Sequence, residues 1–444
     1  MTSKIVVNNI ESDSGISSVT FNSNIQIGSG TTIHSSGIDL GTGNLKGHNL
    51  ESTGIITATT FVGNLTGNPT GSGANLTNLP AANITGTLPA IDGSALTGVG
   101  VGTADSINTS GIITATAFVS DTPLTHRNLL INGEMKINQR VQTGSLGYYN
   151  PVTSSIYTLD RWKISLGGGF DTDSAKIYHS TTAPTSEGFT KSLKVDIGNT
   201  ETPSSGQRAN IGQRIEGQDL QHLRYGTSSA KTMTLSFWVY SNKTGIYSVQ
   251  IVQENKKYVL YDYTISSADT WEKKTITIVG NTADTIDNDN GVGFYVDWFL
   301  CANSDVSVSP TSSWTSGSNY RASTNQVNLW DNSNNYWYLT GCQLELGSVA
   351  TPFEHLSYCE ELIRCQRYFQ KMVDTDGVYF GGGYMYDHYR GYLPVTHYVT
   401  MRAAPSMQTV TGSNYYSLHR NGSGDNFDGF NNWFAADENH GTLQ

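Results

Sequence analysis

Basic residues and long apolar runs are scarce in this sequence. Lysine and arginine together number 26 of 444 residues against 37 acidic residues, which gives a formal net charge of −11. Because a chain of that charge repels a phosphate backbone, we expect no nucleic-acid partner. No apolar run reaches the length of a membrane span and the N-terminus shows no apolar signal core, so we expect a soluble chain that is folded in a cytosol and does not insert into a membrane.

Cysteines are few and stand singly, without a CxxC pair. This spacing is typical neither of a disulfide framework nor of a zinc site, so we expect thiols that behave as small buried apolar groups. The four are Cys301, Cys342, Cys359 and Cys365.

Tryptophan and tyrosine are absent from residues 1–125, which also contain only nine charged residues. This part consists of short alternating bursts rich in Gly, Asn and Thr, and the stretch GIITATTFVG at 54–63 returns as GIITATAFVS at 111–120. A strand of this kind has too little apolar surface to stand alone, so it needs neighbours, as in repeat and fibrous architectures. We predict a virion-attachment region and fibre shaft over residues 1–125, with a disordered monomer as the alternative.

Residues 126–356 show the pattern of an all-β domain. Apolar residues alternate with period two between loops rich in Asn, Asp, Gly and Ser, which predicts strands near 191–197, 232–240, 273–279 and 293–300. The length of this part fits a single β-sandwich or jelly roll.

One helix is predicted in an otherwise β sequence. Ser357 and Glu360 have the spacing of a capping box, and an apolar stripe follows, which predicts a helix over about 358–371. The remaining sequence is rich in Tyr and Gly, so we expect residues 357–444 to form the capped helix and a distal tip of short strands and long loops.

Several stretches carry a family resemblance. The most specific is CQLELGSVATPFEHLSYCEELIRCQRYFQK at 342–371, with RNLLINGEMKINQR at 127–140 and KTMTLSFWVYS at 231–241 in support. They resemble the distal module of tail-fibre proteins of tailed bacteriophages, and the GIITAT repeats resemble fibre shafts of marine cyanobacterial phages. The resemblance implies a homotrimer in the virion that ends in a carbohydrate-binding-like jelly roll, contacts host surface polysaccharide, and meets other tail or baseplate proteins through its N-terminal region. It supplies no catalytic residue and no cofactor.

Two aromatic-rich stretches are the candidate glycan-binding loops, because a sugar ring stacks on an aromatic face while amides and carboxylates bond its hydroxyls. A core role is the alternative for each residue, and Trp238 and Tyr240 are a third possibility on the strand face opposite Phe237. The candidates are Trp314, Tyr320 and Trp330 in one stretch and Tyr384, Tyr386, Asp387, His388, Tyr389 and Tyr392 in the other.

Catalytic and metal-binding signals are weak. No nucleophile elbow, HExxH, P-loop or complete GxGxxG is present, and the carboxylates that a glycosidase could use, Asp297, Glu345, Glu360 and Glu361, have structural interpretations as well. A loop with Asp284, Asp287 and Asp289 suits a calcium ion but lacks the terminal Glu of an EF-hand, and an acidic turn is the alternative.

These observations predict a non-enzymatic adhesin that binds glycan through a trimeric β-sandwich tip. Two alternatives remain at this point, a structural decoration protein of the capsid or baseplate and a polysaccharide depolymerase.

Overall fold

The computed structural model describes residues 62, 123–140, 148–149, 155–171, 174–254, 256–317, 321–373, 377–379, 381–387, 390–431, 433–435 and 437–443. The chain separates into two compact units, Met1–Asn108 and Thr109–Gln444. Both GIITAT copies, apart from Val62 beside the first, lie outside the described residues, so the shaft and the boundaries at 125 and 356 stay predictions.

Two antiparallel sheets form the sandwich, as the all-β prediction requires. One has six strands in the order β1-β4-β5-β15-β7-β10 and the other has seven in the order β13-β9-β8-β11-β6-β3-β2. The strands of the first are β1 Tyr148–Tyr149, β4 Ala175–Ser180, β5 Ser192–Ile197, β15 Tyr336–Leu346, β7 Met233–Ser241 and β10 Glu272–Ile278. Those of the second are β13 Thr311–Ser316, β9 Lys257–Ile265, β8 Gly245–Gln253, β11 Val292–Ala302, β6 Arg208–Glu216, β3 Lys163–Gly167 and β2 Ile156–Tyr157. The four strands predicted from period two are confirmed as β5, β7, β10 and β11.

The core lies between the sheets because each strand turns alternate residues inward. In β7 the alternate residues Met233, Leu235, Phe237 and Val239 are all buried. Across the interface the Phe237 ring meets Trp298 edge-on, with centroids 5.5 Å apart. Such aromatic pairs hold the sheets in register as well as burying area.

A segment that we call the strap, residues 127–137, runs beside the second half of β15, where the Leu129 amide donates to the Leu344 carbonyl oxygen at 2.8 Å and the Cys342 amide donates to the Gly133 carbonyl oxygen at 2.9 Å. The Asn128 side chain donates to the Cys342 carbonyl oxygen at 2.9 Å and accepts from the Leu344 amide at 3.1 Å. Gly133 approaches so closely that a Cβ there would lie 2.1 Å from the carbonyl oxygen of Cys342, so only glycine fits. The strap therefore takes the position beside β15 that β5 leaves after Leu339.

The predicted helix is present but shorter than expected. Helix α1 spans Tyr358–Gln366, and Ser357 and Glu360 form the predicted capping box. It ends before 371 because the Tyr368 amide bonds the Cys365 carbonyl in a tighter turn at 3.0 Å. Its buried side packs Cys365 against the strap, and the Glu361 carboxylate accepts from a strap amide at Asn132.

The last part of the chain forms small sheets, as predicted. β16 Tyr384–Met385, β17 Gly391–Thr396, β21 His440–Leu443 and β20 Trp433–Ala435 form one sheet, and β18 Tyr416–Arg420 pairs with β19 Ser423–Phe427. Two short strands of the sandwich region, β12 Ser307–Val308 and β14 Ala322–Ser323, pair in parallel. Within the described ranges, no helix has the length and apolar character that crossing a bilayer requires.

The cysteines are reduced thiols. Cys301, Cys342 and Cys365 are buried, as expected, and burial raises the pKa of each thiol. The expectation is wrong for Cys359, which is exposed on the outer side of α1.

Candidate functional site

In the first aromatic stretch, Trp330 lies in the core. Trp330 is fully buried in a short 3-10 helix, Leu329–Asp331, where its indole N–H donates to the Ser174 hydroxyl at 2.7 Å and its ring meets Phe170. Its assignment as a glycan contact is therefore wrong, because no part of its ring reaches solvent.

Trp314 also has a structural environment. It lies in strand β13 rather than in the predicted loop, and its N–H donates to the Val279 carbonyl oxygen at 2.7 Å. Its ring stacks on Phe294 at 5.9 Å and meets Tyr225 edge-on, so one face is already occupied. Tyr320 lies outside the described residues.

The second stretch forms a compact exposed cluster at the tip. A turn joins β16 to β17, and the pairing places Tyr384 opposite Tyr392. The Tyr392 ring lies 5.7 Å from Tyr384 and 5.3 Å from Tyr386, which meets it edge-on. Tyr384 is 59% and Tyr386 62% exposed, so both present ring area to solvent.

A charged pair borders these rings. Within the turn, Asp387 accepts from the Arg390 amide at 2.8 Å and from its guanidinium at 2.7 Å, and the guanidinium carbon lies 5.1 Å from the centre of the Tyr386 ring. The hydrogen bond that Arg390 donates to Asp387 raises the pKa of Arg390. Arg390 is not among the residues predicted from the sequence, because its place beside the Tyr386 ring depends on how the chain turns here.

We call this cluster the tip patch: Tyr384, Tyr386, Asp387, Arg390 and Tyr392. His388 and Tyr389, which the sequence places in the same turn, lie outside the described residues. The structure thus brings together four of the six candidates predicted in this stretch and adds one cation.

The tip is fixed to the sandwich through the end of α1. Arg367 binds the buried Glu216 carboxylate with two nitrogens, at 2.8 and 2.7 Å, and the Tyr368 hydroxyl donates to the same carboxylate. Burial alone would raise the pKa of Glu216, but the bonds from Arg367 and Tyr368 lower it. The Arg402 amide then donates to the Arg367 carbonyl oxygen at 2.9 Å, and its carbonyl accepts from Asn290 at 2.6 Å. These contacts anchor the chain around Arg402, which follows β17, to the sandwich.

The carboxylates considered for catalysis have structural partners. Asp297 is buried in β11, accepts from Asn210 at 2.7 Å, and has its pKa raised by burial to about 6. Glu345 accepts from the Thr351 amide at 2.9 Å. Glu360 caps α1 and Glu361 holds the strap, as described above. The prediction that the chain is not an enzyme remains a prediction.

The three aspartates of the calcium candidate do not converge. Asp284 pairs with Lys257 at 3.2 Å, Asp287 with Lys256 at 3.3 Å, and Asp289 accepts from the Gly291 amide at 2.9 Å. Across the described part of the chain, no group of three or more His, Cys, Asp and Glu side chains is placed to hold a metal ion.

No protein-family model matches the sequence, and no curated protein matches it. Part of the structure is similar to the enzymatically active domain of tailspike protein 4 from bacteriophage CBA120, with 13% identity over 42% of this chain and a TM-score of 0.25. This chain covers 20% of that domain.

Two similar structures are carbohydrate-binding modules. The family 22 tandem domain from Paenibacillus barcinonensis is 13% identical over 45% of this chain and 50% of its own, with a TM-score of 0.26. The family 11 module from Clostridium thermocellum is 12% identical over 47% of this chain and 100% of its own, with a TM-score of 0.22. TM-scores this low do not support a fold assignment, which therefore rests on the strand order given above.

Proposed function

We propose that this chain is a tail-fibre protein of a tailed bacteriophage that attaches to host cell-surface glycan through the tip patch, without catalysis. The observation that carries the proposal is the pairing of two tyrosines, each more than half exposed, with a carboxylate and a guanidinium at their edge. The resemblance of residues 342–371 to tail-fibre modules supports the same assignment.

The chemistry of the tip patch suits a saccharide. Tyrosine rings stack on the apolar face of a pyranose. Asp387 can accept from sugar hydroxyls and Arg390 can donate to them, so the patch offers both kinds of hydrogen bond. A shallow site of this size binds weakly on its own.

Trimerisation would make weak sites useful. Three copies of the tip patch on one homotrimer raise the effective concentration of the second and third site and convert weak binding into strong attachment. In this proposal residues 1–125 form the shaft and join other tail or baseplate proteins, residues 126–356 form the jelly roll, and residues 357–444 carry the patch. The protein would be made in the host cytoplasm and act in the virion.

Depletion of the full-length chain from solution tests the proposal. The protein is incubated with a panel of intact marine cyanobacterial strains and with the same cells stripped of surface polysaccharide, and the unbound fraction is measured. We expect depletion by intact cells of a susceptible strain only, and at least tenfold weaker depletion for Tyr384→Ala/Tyr386→Ala. Tyr398→Ala is the matched control, because Tyr398 is 61% exposed and lies outside the patch.

The alternatives give different results. No depletion over any strain would favour a structural virion protein. Shortening of the polysaccharide during incubation would instead identify a depolymerase. Analytical ultracentrifugation of the full chain tests the trimer directly.

A further inference from the structure

The outer face of the six-stranded sheet carries a transverse row of aromatic side chains. Strand register places Tyr178 opposite Lys194, Lys194 opposite Tyr338, and Tyr338 opposite Tyr240. Trp271 directly precedes β10, and its ring lies 5.4 Å from that of Tyr240. We call these five residues, together with Tyr336 on β15, the sheet-face row. It crosses the half of the sheet that lies toward the start of β15, away from the strap contacts with Cys342 and Leu344.

The rings of the row are held by one another and by charge. Tyr338 meets Tyr240 edge-on at 5.3 Å, and Tyr336, two residues earlier on β15, lies nearly parallel to Tyr240 at 6.2 Å. The Tyr336 hydroxyl donates to Asp269 at 2.6 Å. The Lys194 ammonium lies 5.4 and 5.7 Å from the centres of the Tyr336 and Tyr338 rings. Hydrogen bonds and cation–π contacts of this kind fix the rings before any ligand arrives.

The row is open in part. Tyr178, Tyr240, Trp271 and Tyr336 are half-buried, and only Tyr338, in the centre, is buried at 9% exposure. Half-buried rings that are already fixed can stack on a ligand through their exposed part with little loss of side-chain entropy.

A polar hollow adjoins the row at Tyr336. The Tyr336 amide donates to the Asn242 side-chain oxygen at 3.0 Å, and Asn242 lines a cavity of about 380 Å³. Its wall is formed by Asn242, Lys243, Thr244, Asp331, Asn332 and Asn335. Amide, hydroxyl and ion-paired groups therefore lie next to the aromatic rings. A sugar ring needs this combination, because it stacks on an aromatic face and forms hydrogen bonds through its hydroxyls.

The length of the row indicates the size of the ligand. From Tyr178 on β4 to Trp271 beside β10 there are four interstrand steps, about 19 Å at roughly 4.8 Å each. Several stacking positions in line suit a chain of sugar rings rather than one ring.

The charges indicate the class of saccharide. Lys194, which contacts the row, is paired with Asp196 at 3.1 Å, and Lys243, which lines the hollow, is paired with Asp331 at 2.6 Å, so both of these ammonium groups are already neutralised. An anionic chain would need unpaired cations among the groups that it contacts. A protein partner is disfavoured as well, because the centres of protein interfaces are depleted in charged residues, whereas here Lys194 borders the rings of Tyr178, Tyr336 and Tyr338.

We propose that the sheet-face row and the adjoining hollow bind an internal stretch of a neutral polysaccharide. The inference rests on the proposed function in that both make the chain a glycan adhesin, but it assigns a second surface that is separate in residues from the tip patch.

Calorimetric titration of the full chain with defined probes tests the inference. The probes are neutral oligomers of glucose, galactose and mannose with two and six units, and an alginate hexamer as the charged probe. We expect at least one neutral hexamer to bind at least tenfold more tightly than its dimer. Equal affinity of hexamer and dimer, or preference for alginate, would overturn the inference, and neither result depends on a variant.

Substitutions locate the site. Tyr240→Ala and Tyr336→Ala should each weaken hexamer binding at least tenfold, with urea midpoints measured to confirm folding. Tyr157→Ala is the matched control, since Tyr157 is a partly exposed tyrosine under the Arg140 cation on the other sheet.

The outcomes separate this inference from the proposed function. Hexamer binding that survives both row variants but disappears in Tyr384→Ala/Tyr386→Ala would refute the row and support the tip patch. Depletion by cells without binding of any neutral hexamer would also refute the row while leaving the adhesin intact. Loss of hexamer binding in Tyr240→Ala and Tyr336→Ala, with binding retained in Tyr384→Ala/Tyr386→Ala, supports the inference.

Discussion

Replacement of Trp330 should damage the fold and leave the tip patch untouched, although the sequence places this residue in a loop suited to sugar binding. The indole is fully buried against Phe170, and its N–H donates to Ser174 at 2.7 Å. Trp330→Ala removes a large ring from the core, which costs about 3–5 kcal/mol. Trp330→Phe keeps most of the ring but leaves Ser174 without its donor, and this costs about 1–3 kcal/mol.

Urea unfolding followed by far-UV circular dichroism measures both variants, and depletion by host cells measures attachment. Since small domains are stable by about 5–15 kcal/mol, Trp330→Phe should remain folded and bind cells as the wild type does. An unchanged urea midpoint together with tenfold weaker attachment would refute the reasoning, because it would mean that a side chain without exposed surface contacts the ligand.

Three further substitutions test individual contacts of the described fold by urea unfolding. An acid whose pKa is raised in the folded state binds its proton more tightly there than in the unfolded state. Its ionisation therefore costs no stability below the pKa of the unfolded state and costs the full amount above the pKa of the folded state. Burial raises the pKa of Asp297 from 3.8 to about 6, so the free energy of unfolding should fall by about 3 kcal/mol as the pH rises through that range. Asp297→Asn lacks this titration and should therefore gain about 3 kcal/mol relative to the wild type between pH 4 and 7. A stability difference between the two proteins that does not change with pH would contradict this. Ser357→Ala removes the α1 cap and should cost about 1 kcal/mol, whereas an unchanged midpoint would show that the cap is dispensable. Arg367→Met leaves Glu216 buried without its cation and should cost about 3–5 kcal/mol, more than Arg367→Met/Glu216→Gln does; equal losses would argue against the ion pair.

Local patterns made much of the fold predictable. The four strands with period-two alternation and the capping box depend on residues that are close together in the sequence. The structure contains each of them where the sequence pattern predicts it. The end of α1 was not predictable, because the apolar stripe continues past Gln366 while the turn at Tyr368 is set by the buried Glu216, which is 152 residues away.

The candidate binding residues could be grouped from the sequence only where they lie close together in the chain. The tip turn holds its candidates within a few residues, so the sequence could group them. Trp330 looks like a loop residue among Asn and Ser, but Ser174, 156 residues away, encloses it. The sheet-face row depends on register between strands that are distant in the chain. Alternation shows that Tyr336 and Tyr338 share a face, but not which rings stand beside them.

The attachment of the strap also determines how the sandwich would carry a pull from residue 126. The first contact to be stretched is a single carboxylate, Glu354, which accepts from the amides of His126, Arg127 and Asn128 at 2.6, 2.6 and 3.1 Å. Behind it, tension passes through Asn128 into β15 at Cys342 and Leu344; β15 pairs with β7 along this stretch and with β5 farther back, from Tyr336 to Leu339. Force that enters at an inner strand is shared by its neighbours instead of peeling an edge strand away, so the joint would yield at Glu354 well before the sheets part.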